Sequence, residues 1–143
     1  MVLGRKRRGE RGERGAAAVE FALILPIFLM LLFGIIDFGY MINRGSMINN
    51  AARDAARAAS LKSTQAEVVA VATNATRSVG AVTVTVSCKR PPANTSCGAY
   101  DANRLSGDTA VVKIAYQHKM LTPVGIFFPG GFDLTRQAEM RIE

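Results

Sequence analysis

Residues Ala16–Ile36 read AAAVEFALILPIFLMLLFGII, twenty-one residues with a single charge, that of Glu20. At helical rise the run measures roughly 31 Å, the thickness of a bilayer core of about 30 Å. A soluble helix that is apolar on every side must be enclosed by protein, and a chain of 143 residues has too little to enclose it. The stretch therefore predicts a membrane-spanning helix. What remains of the chain is enough for one small domain.

The flanks set an orientation. Residues 1–15 hold six basic side chains (Arg5, Lys6, Arg7, Arg8, Arg11, Arg14) against Glu10 and Glu13, whereas Arg44 is the first basic residue after the apolar run. The positive-inside rule then keeps the N-terminus cytoplasmic and exports the C-terminal part. A cleaved secretory signal is the competing reading, with Ala56-Arg57-Ala58 as its small-x-small site. The apolar run is longer than a secretory h-region, and that site stands well beyond its end, so a retained single-pass anchor is favoured. The Arg7-Arg8 pair is a poor twin-arginine signal, because its spacer is long and acidic.

The same distribution qualifies the net charge of +7. Four of those charges belong to residues 1–15, so the body is only weakly basic and no nucleic-acid partner is expected. One His, two Cys and no Trp leave little material for a metal site or a nucleophile. A protein without enzymatic activity or cofactor is expected.

Glu20 is the most informative residue. A carboxylate within a membrane segment costs a few kcal/mol and usually has a partner or a role. It also lies in the first turns, where it can snorkel to the interface and favour the helix N-terminus. Position alone leaves both readings open. The neighbourhood is more specific: a basic leader ends in Gly15, followed by Ala16-Ala17-Ala18-Val19-Glu20-Phe21. This resembles the processing site of type IV pilins and pseudopilins. The wider stretch Arg14–Ala59 resembles the TadE-like family of the tight-adherence (Flp-type) pilus system. Gly15, Glu20-Phe21, Leu25-Pro26, Asp37-Phe38-Gly39 and the Ala/Arg-rich tail carry that resemblance in order. Leu134–Glu143 is more weakly similar to the family's last strand.

The resemblance implies a minor pseudopilin in the bacterial cytoplasmic membrane, cut between Gly15 and Ala16 by a prepilin peptidase. The cut would free an amine on Ala16. Glu20 of one subunit could then pair with that amine on its neighbour, as a register device more than a source of stability. The implied partners are the peptidase, the pilus membrane platform with its secretion ATPase, other pseudopilins or pilin, and the lipid bilayer. The alternative is an unprocessed, membrane-anchored binding domain in which Gly15 is a plain junction residue and Glu20 is interfacial. A secreted enzyme or toxin-like domain would need a convergent polar site, which the sequence does not offer.

Three segments follow: a leader over 1–15, a transmembrane and extended helix over 16–60, and an exported α+β domain over 61–143. Ile48, Ala52, Ala55 and Ala59 share one face of the extended helix. Thr64-Gln65-Ala66-Glu67 is a capping box, with Val68, Val71, Ala72, Ala75 and Val79 at helical spacing up to Gly80. Val82, Val84 and Val86 then alternate with polar residues as in a half-buried strand. Val111–Tyr116 and Leu134–Ile142 give two more, which predicts a small three-stranded antiparallel sheet. Pro91–Asp108 reads as a polar loop with Cys88 and Cys97 at its sides. In an oxidising compartment these two predict a disulfide that stabilises by roughly 2 to 3 kcal/mol. His118 reads as a surface histidine beside Lys119. The apolar loop with Val124, Ile126 and Phe127-Phe128 reads as tucked under the sheet or offered to a partner.

Overall fold

The long helix α1 runs unbroken from Glu10 to Ser60 and keeps Pro26 inside it. It belongs to a computed structural model that describes residues 10–143, with side chains from residue 15 onward. Arg5, Lys6, Arg7 and Arg8 of the leader lie outside the described residues. The expected start at Ala16 is corrected, because the helix continues upstream through Gly15.

One stripe of α1 is buried: Asp37 and, from Gly45 on, Gly45, Ile48, Ala51, Ala52, Ala55, Ala56 and Ala59, singly or in pairs once per turn. The stripe is mostly alanine, so the sheet and the second helix approach the α1 backbone closely. α2 (Gln65–Ala75) opens with the expected capping box. Thr64 Oγ1 accepts the Glu67 amide at 3.3 Å, and Glu67 Oε2 accepts the Thr64 amide at 2.8 Å. Val68 and Ala72 of α2 are buried in the common core with α1.

The sheet contains β1 (Thr83–Arg90), β2 (Thr95–Ser96), β3 (Thr109–His118) and β4 (Phe132–Arg141). Their order is β2-β1-β3-β4, with antiparallel neighbours throughout. Val84, Val86 and Cys88 of β1 stand opposite Ile114, Val112 and Ala110 of β3. Ala138 and Met140 of β4 continue the same apolar rows. The class is the expected α+β, but the sheet has four strands and not three. The extra strand hides in the polar loop because two residues are too few to show alternation.

That loop is also better anchored than its composition suggests. Cys88 and Cys97 are joined as a disulfide with Cα atoms 5.5 Å apart, and the Cys97 amide donates to the Cys88 carbonyl at 3.1 Å. A one-turn helix α3 (Tyr100–Asn103) buries Tyr100, whose hydroxyl donates to the Ala59 carbonyl at 3.0 Å. Arg90 clamps Asp108 through Nε and Nη2, both at 3.1 Å, while Asp108 also accepts the Leu105 amide.

This clamp gives a pH prediction. The Arg90 guanidinium, helped by the Leu105 amide, holds the Asp108 carboxyl below its ordinary range. A carboxyl with a lowered folded pKa contributes stability above its unfolded value and loses it as pH falls through the folded value. The melting temperature of the full chain in detergent is therefore expected to drop as pH falls below about 4. Asp108→Asn should lower the midpoint at neutral pH and flatten that acid limb. An unchanged acid limb in the variant would contradict the assignment.

Candidate functional site

The sequence points to the start of α1, and the structure adds a second region where α1 leaves its apolar half. Gly15, Ala16, Glu20 and Phe21 all lie on α1 and all are exposed. α1 is long and apolar enough to cross a membrane, and none of its most apolar window is buried within the chain. This is unlike the core helix of a soluble protein. A Cβ built onto Gly15, Gly34 or Gly39 meets nothing within 4 Å. Glycine in a helix interior costs roughly 1 kcal/mol relative to alanine. No contact among the described residues offsets that cost at Gly15, Gly34 or Gly39.

The second region was missed as a site by sequence reasoning. Asp37 is only 2 % exposed, although it sits one residue past the apolar run. Its Oδ1 accepts the Leu121 amide at 2.9 Å, and its Oδ2 accepts the Thr122 hydroxyl. One helical carboxylate thus holds the start of the β3–β4 loop. The sequence signal was present in Asp37-Phe38-Gly39, but its partner lies more than eighty residues away.

His118 closes the same junction and corrects the surface reading: it is 1 % exposed at the end of β3. Neither ring nitrogen has a hydrogen-bond partner among the described residues. Its ring packs between those of Tyr40 and Tyr116, with centroids 5.9 and 6.2 Å away. An apolar cleft of about 310 Å³ opens beside Asp37 and His118, walled by Phe38, Met41, Met120 and Phe132. One turn further along α1, Arg44 lies over the Tyr40 ring and donates to the Tyr40 hydroxyl and the Ser78 carbonyl. The junction is a lock between helix and domain.

The apolar loop is not tucked under the sheet. Its 3₁₀ turn, Pro123–Phe127, has no buried residue and packs against α1. Gly131 makes the return into β4 at φ +66°, where a Cβ would collide with the His118 carbonyl. One further cluster, Cys88, Cys97 and Asp108, brings three residues of metal-ligand type together. Its sulfurs are bonded to each other and its carboxylate is engaged by Arg90, so the cluster serves the loop.

Comparison with known proteins finds a family to which the first region is similar. The model of the family described as TadE-like protein matches residues 15–57, from Gly15 through most of the alanine stripe of α1. This agrees with the resemblance read from the sequence over the same stretch. No curated protein and no solved structure matches the chain.

Proposed function

We propose that this chain, TadE-like over residues 15–57, is a minor pseudopilin that takes part in building a Flp-type pilus. The observation that carries the reading is the exposed Gly15-Ala16…Glu20-Phe21 stretch, which makes no contact that the fold itself needs. A prepilin peptidase cuts after Gly15. The new Ala16 amine and Glu20 then supply opposite charges within one apolar region, where pairing between neighbouring helices relieves the desolvation of both. The apolar half of α1 is the surface for those lateral contacts and for lipid. The C-terminal domain faces outward, and the chemistry belongs to the peptidase and the secretion ATPase, while this chain performs no catalysis.

One observation favours the second reading, an unprocessed membrane-anchored domain: α1 is helical across the Gly15–Ala16 bond. A peptidase needs that bond extended, so the first turns must open before cutting. Glycine at this position lowers the helical preference that opposes it.

Glu20→Gln tests the assembly role. It keeps the side chain's size and removes its charge. Co-isolation of the variant with the pilin and sibling pseudopilins from solubilised membranes is expected to fall clearly below wild type, with the C-terminal domain still folded by circular dichroism. Undiminished co-isolation would contradict the pairing.

A further inference from the structure

Between Lys119 and Asp133 the sequence MLTPVGIFFPGGF carries no charge. Its larger side chains do not enter the core: Ile126 is 79 % exposed and Phe127 68 %, with Leu121 and Phe128 also exposed. An exposed apolar loop of this size on a small domain marks an interaction surface. The fold lays this loop alongside the apolar half of α1. Pro123, Val124, Ile126 and Phe127 share a groove with Pro26, Met30 and Phe33. Leu29 and Phe33 are half-buried on this side of the helix, whereas Phe28, Leu31 and Ile35 on other sides are exposed.

The centre of that groove lies six to seven residues before Ile36, which is roughly 10 Å along the helix axis. Any bilayer that holds Ala16–Ile36 therefore meets the loop as well.

We propose that the β3–β4 loop is a second membrane element, inserted beside α1 into the leaflet nearest the C-terminal domain, with lipid acyl chains as its partner. The proposal rests on reading α1 as membrane-spanning. A loop in hydrocarbon must satisfy its own polar groups, and this one goes far toward doing so. The Gly125, Phe128 and Gly131 amides donate to the carbonyls of Thr122, Gly125 and Phe128. The Leu121 amide is taken by Asp37, and the Gly130 carbonyl accepts from the Gln117 side chain. Pro123 and Pro129 have no amide hydrogen to satisfy. The depth of about 10 Å falls in the range over which interfacial elements bury their apolar faces. Lys119 and Asp133 then bracket the loop near the surface. Asp37 pins the loop to the helix at the point where both enter the membrane.

The chain has no tryptophan, so single tryptophans report depth without background. Three full-length variants are reconstituted in vesicles, with and without acyl-brominated lipid: Phe127→Trp in the loop, Phe28→Trp on α1, and Leu105→Trp in the turn that precedes β3, at the opposite end of that strand from the loop. Brominated lipid is expected to quench the Phe127→Trp emission about as strongly as the Phe28→Trp emission and several times more than the Leu105→Trp emission. Aqueous iodide should show the reverse ranking. Ile126→Trp repeats the loop measurement should Phe127→Trp fail to fold. A loop probe open to iodide, with Phe28→Trp still quenched by lipid, would overturn the proposal and leave the α1 reading intact. A loop probe shielded from both quenchers would mean a protein cover, such as a neighbouring helix, and would also overturn it. Failure of lipid to quench Phe28→Trp would remove the spanning helix and the proposal together.

Discussion

Asp37→Ala is expected to lower the thermal midpoint of the full chain in detergent by on the order of 10 °C, corresponding to about 2 to 3 kcal/mol. The carboxylate accepts two hydrogen bonds from the loop, one from the Leu121 amide and one from the Thr122 hydroxyl. Bonds to a charged group contribute roughly 1.5 to 3 kcal/mol each, and truncation also leaves two part-buried donors without that partner. Removing the buried charge offsets part of that loss, so the two bonds do not add in full. Asp37→Asn keeps one carbonyl oxygen for the Leu121 amide and should fall between wild type and Asp37→Ala. Proteolysis adds a local readout, since the released loop is expected to be cut between Met120 and Phe132 before the sheet is lost. An Asp37→Ala chain that melts like wild type and resists cleavage would show that the junction is held by apolar packing alone.

Ala55→Leu should be about as damaging, for the opposite reason. Ala52, Ala55, Ala56 and Ala59 have no exposed surface, and they sit where α1 meets α2 and the sheet. A leucine adds three carbons where the backbones are already close, and overpacking of this kind costs typically about 1 to 3 kcal/mol. The rigid sheet on one side and the capped α2 on the other place Ala55 near the upper end of that range. Ala22→Leu provides the control. Ala22 is exposed on the apolar half of α1, and leucine there should leave the midpoint unchanged. Equal melting of Ala55→Leu and Ala22→Leu in the same detergent would contradict the alanine stripe as the close-packing surface.

These two residues also mark where sequence reading succeeds and where it stops. The alanine stripe was legible because packing demands recur along one helix at a period of 3.6, so local spacing already encodes the buried face. The capping box of α2 and the alternating valines of β1 were legible for the same local reason. Asp37 was visible as part of an ordered motif, but its burial depends on Leu121 and Thr122, which only the tertiary fold brings near. His118 was misread because its neighbour Lys119 is polar, whereas its ring lies between Tyr116 of its own strand and Tyr40 of α1, which only the tertiary fold brings near. The strand β2 was lost because two residues carry no period. The apolar loop reads as tucked under the sheet or offered to a partner, and the first of these fails, since composition shows that Ile126 and Phe127 avoid water but not what they lie against.

The proposed role stands or falls with the bond between Gly15 and Ala16, whose cleavage would prepare α1 for assembly. Its direct test is the intact mass of the protein isolated from membranes of a host with an active prepilin peptidase, for wild type and for Gly15→Leu. The expected result is a wild-type chain that begins at Ala16 and a Gly15→Leu chain that retains residues 1–15. A wild-type chain that keeps those residues would be the opposite result, leaving an uncut membrane anchor and no free Ala16 amine for Glu20 to meet.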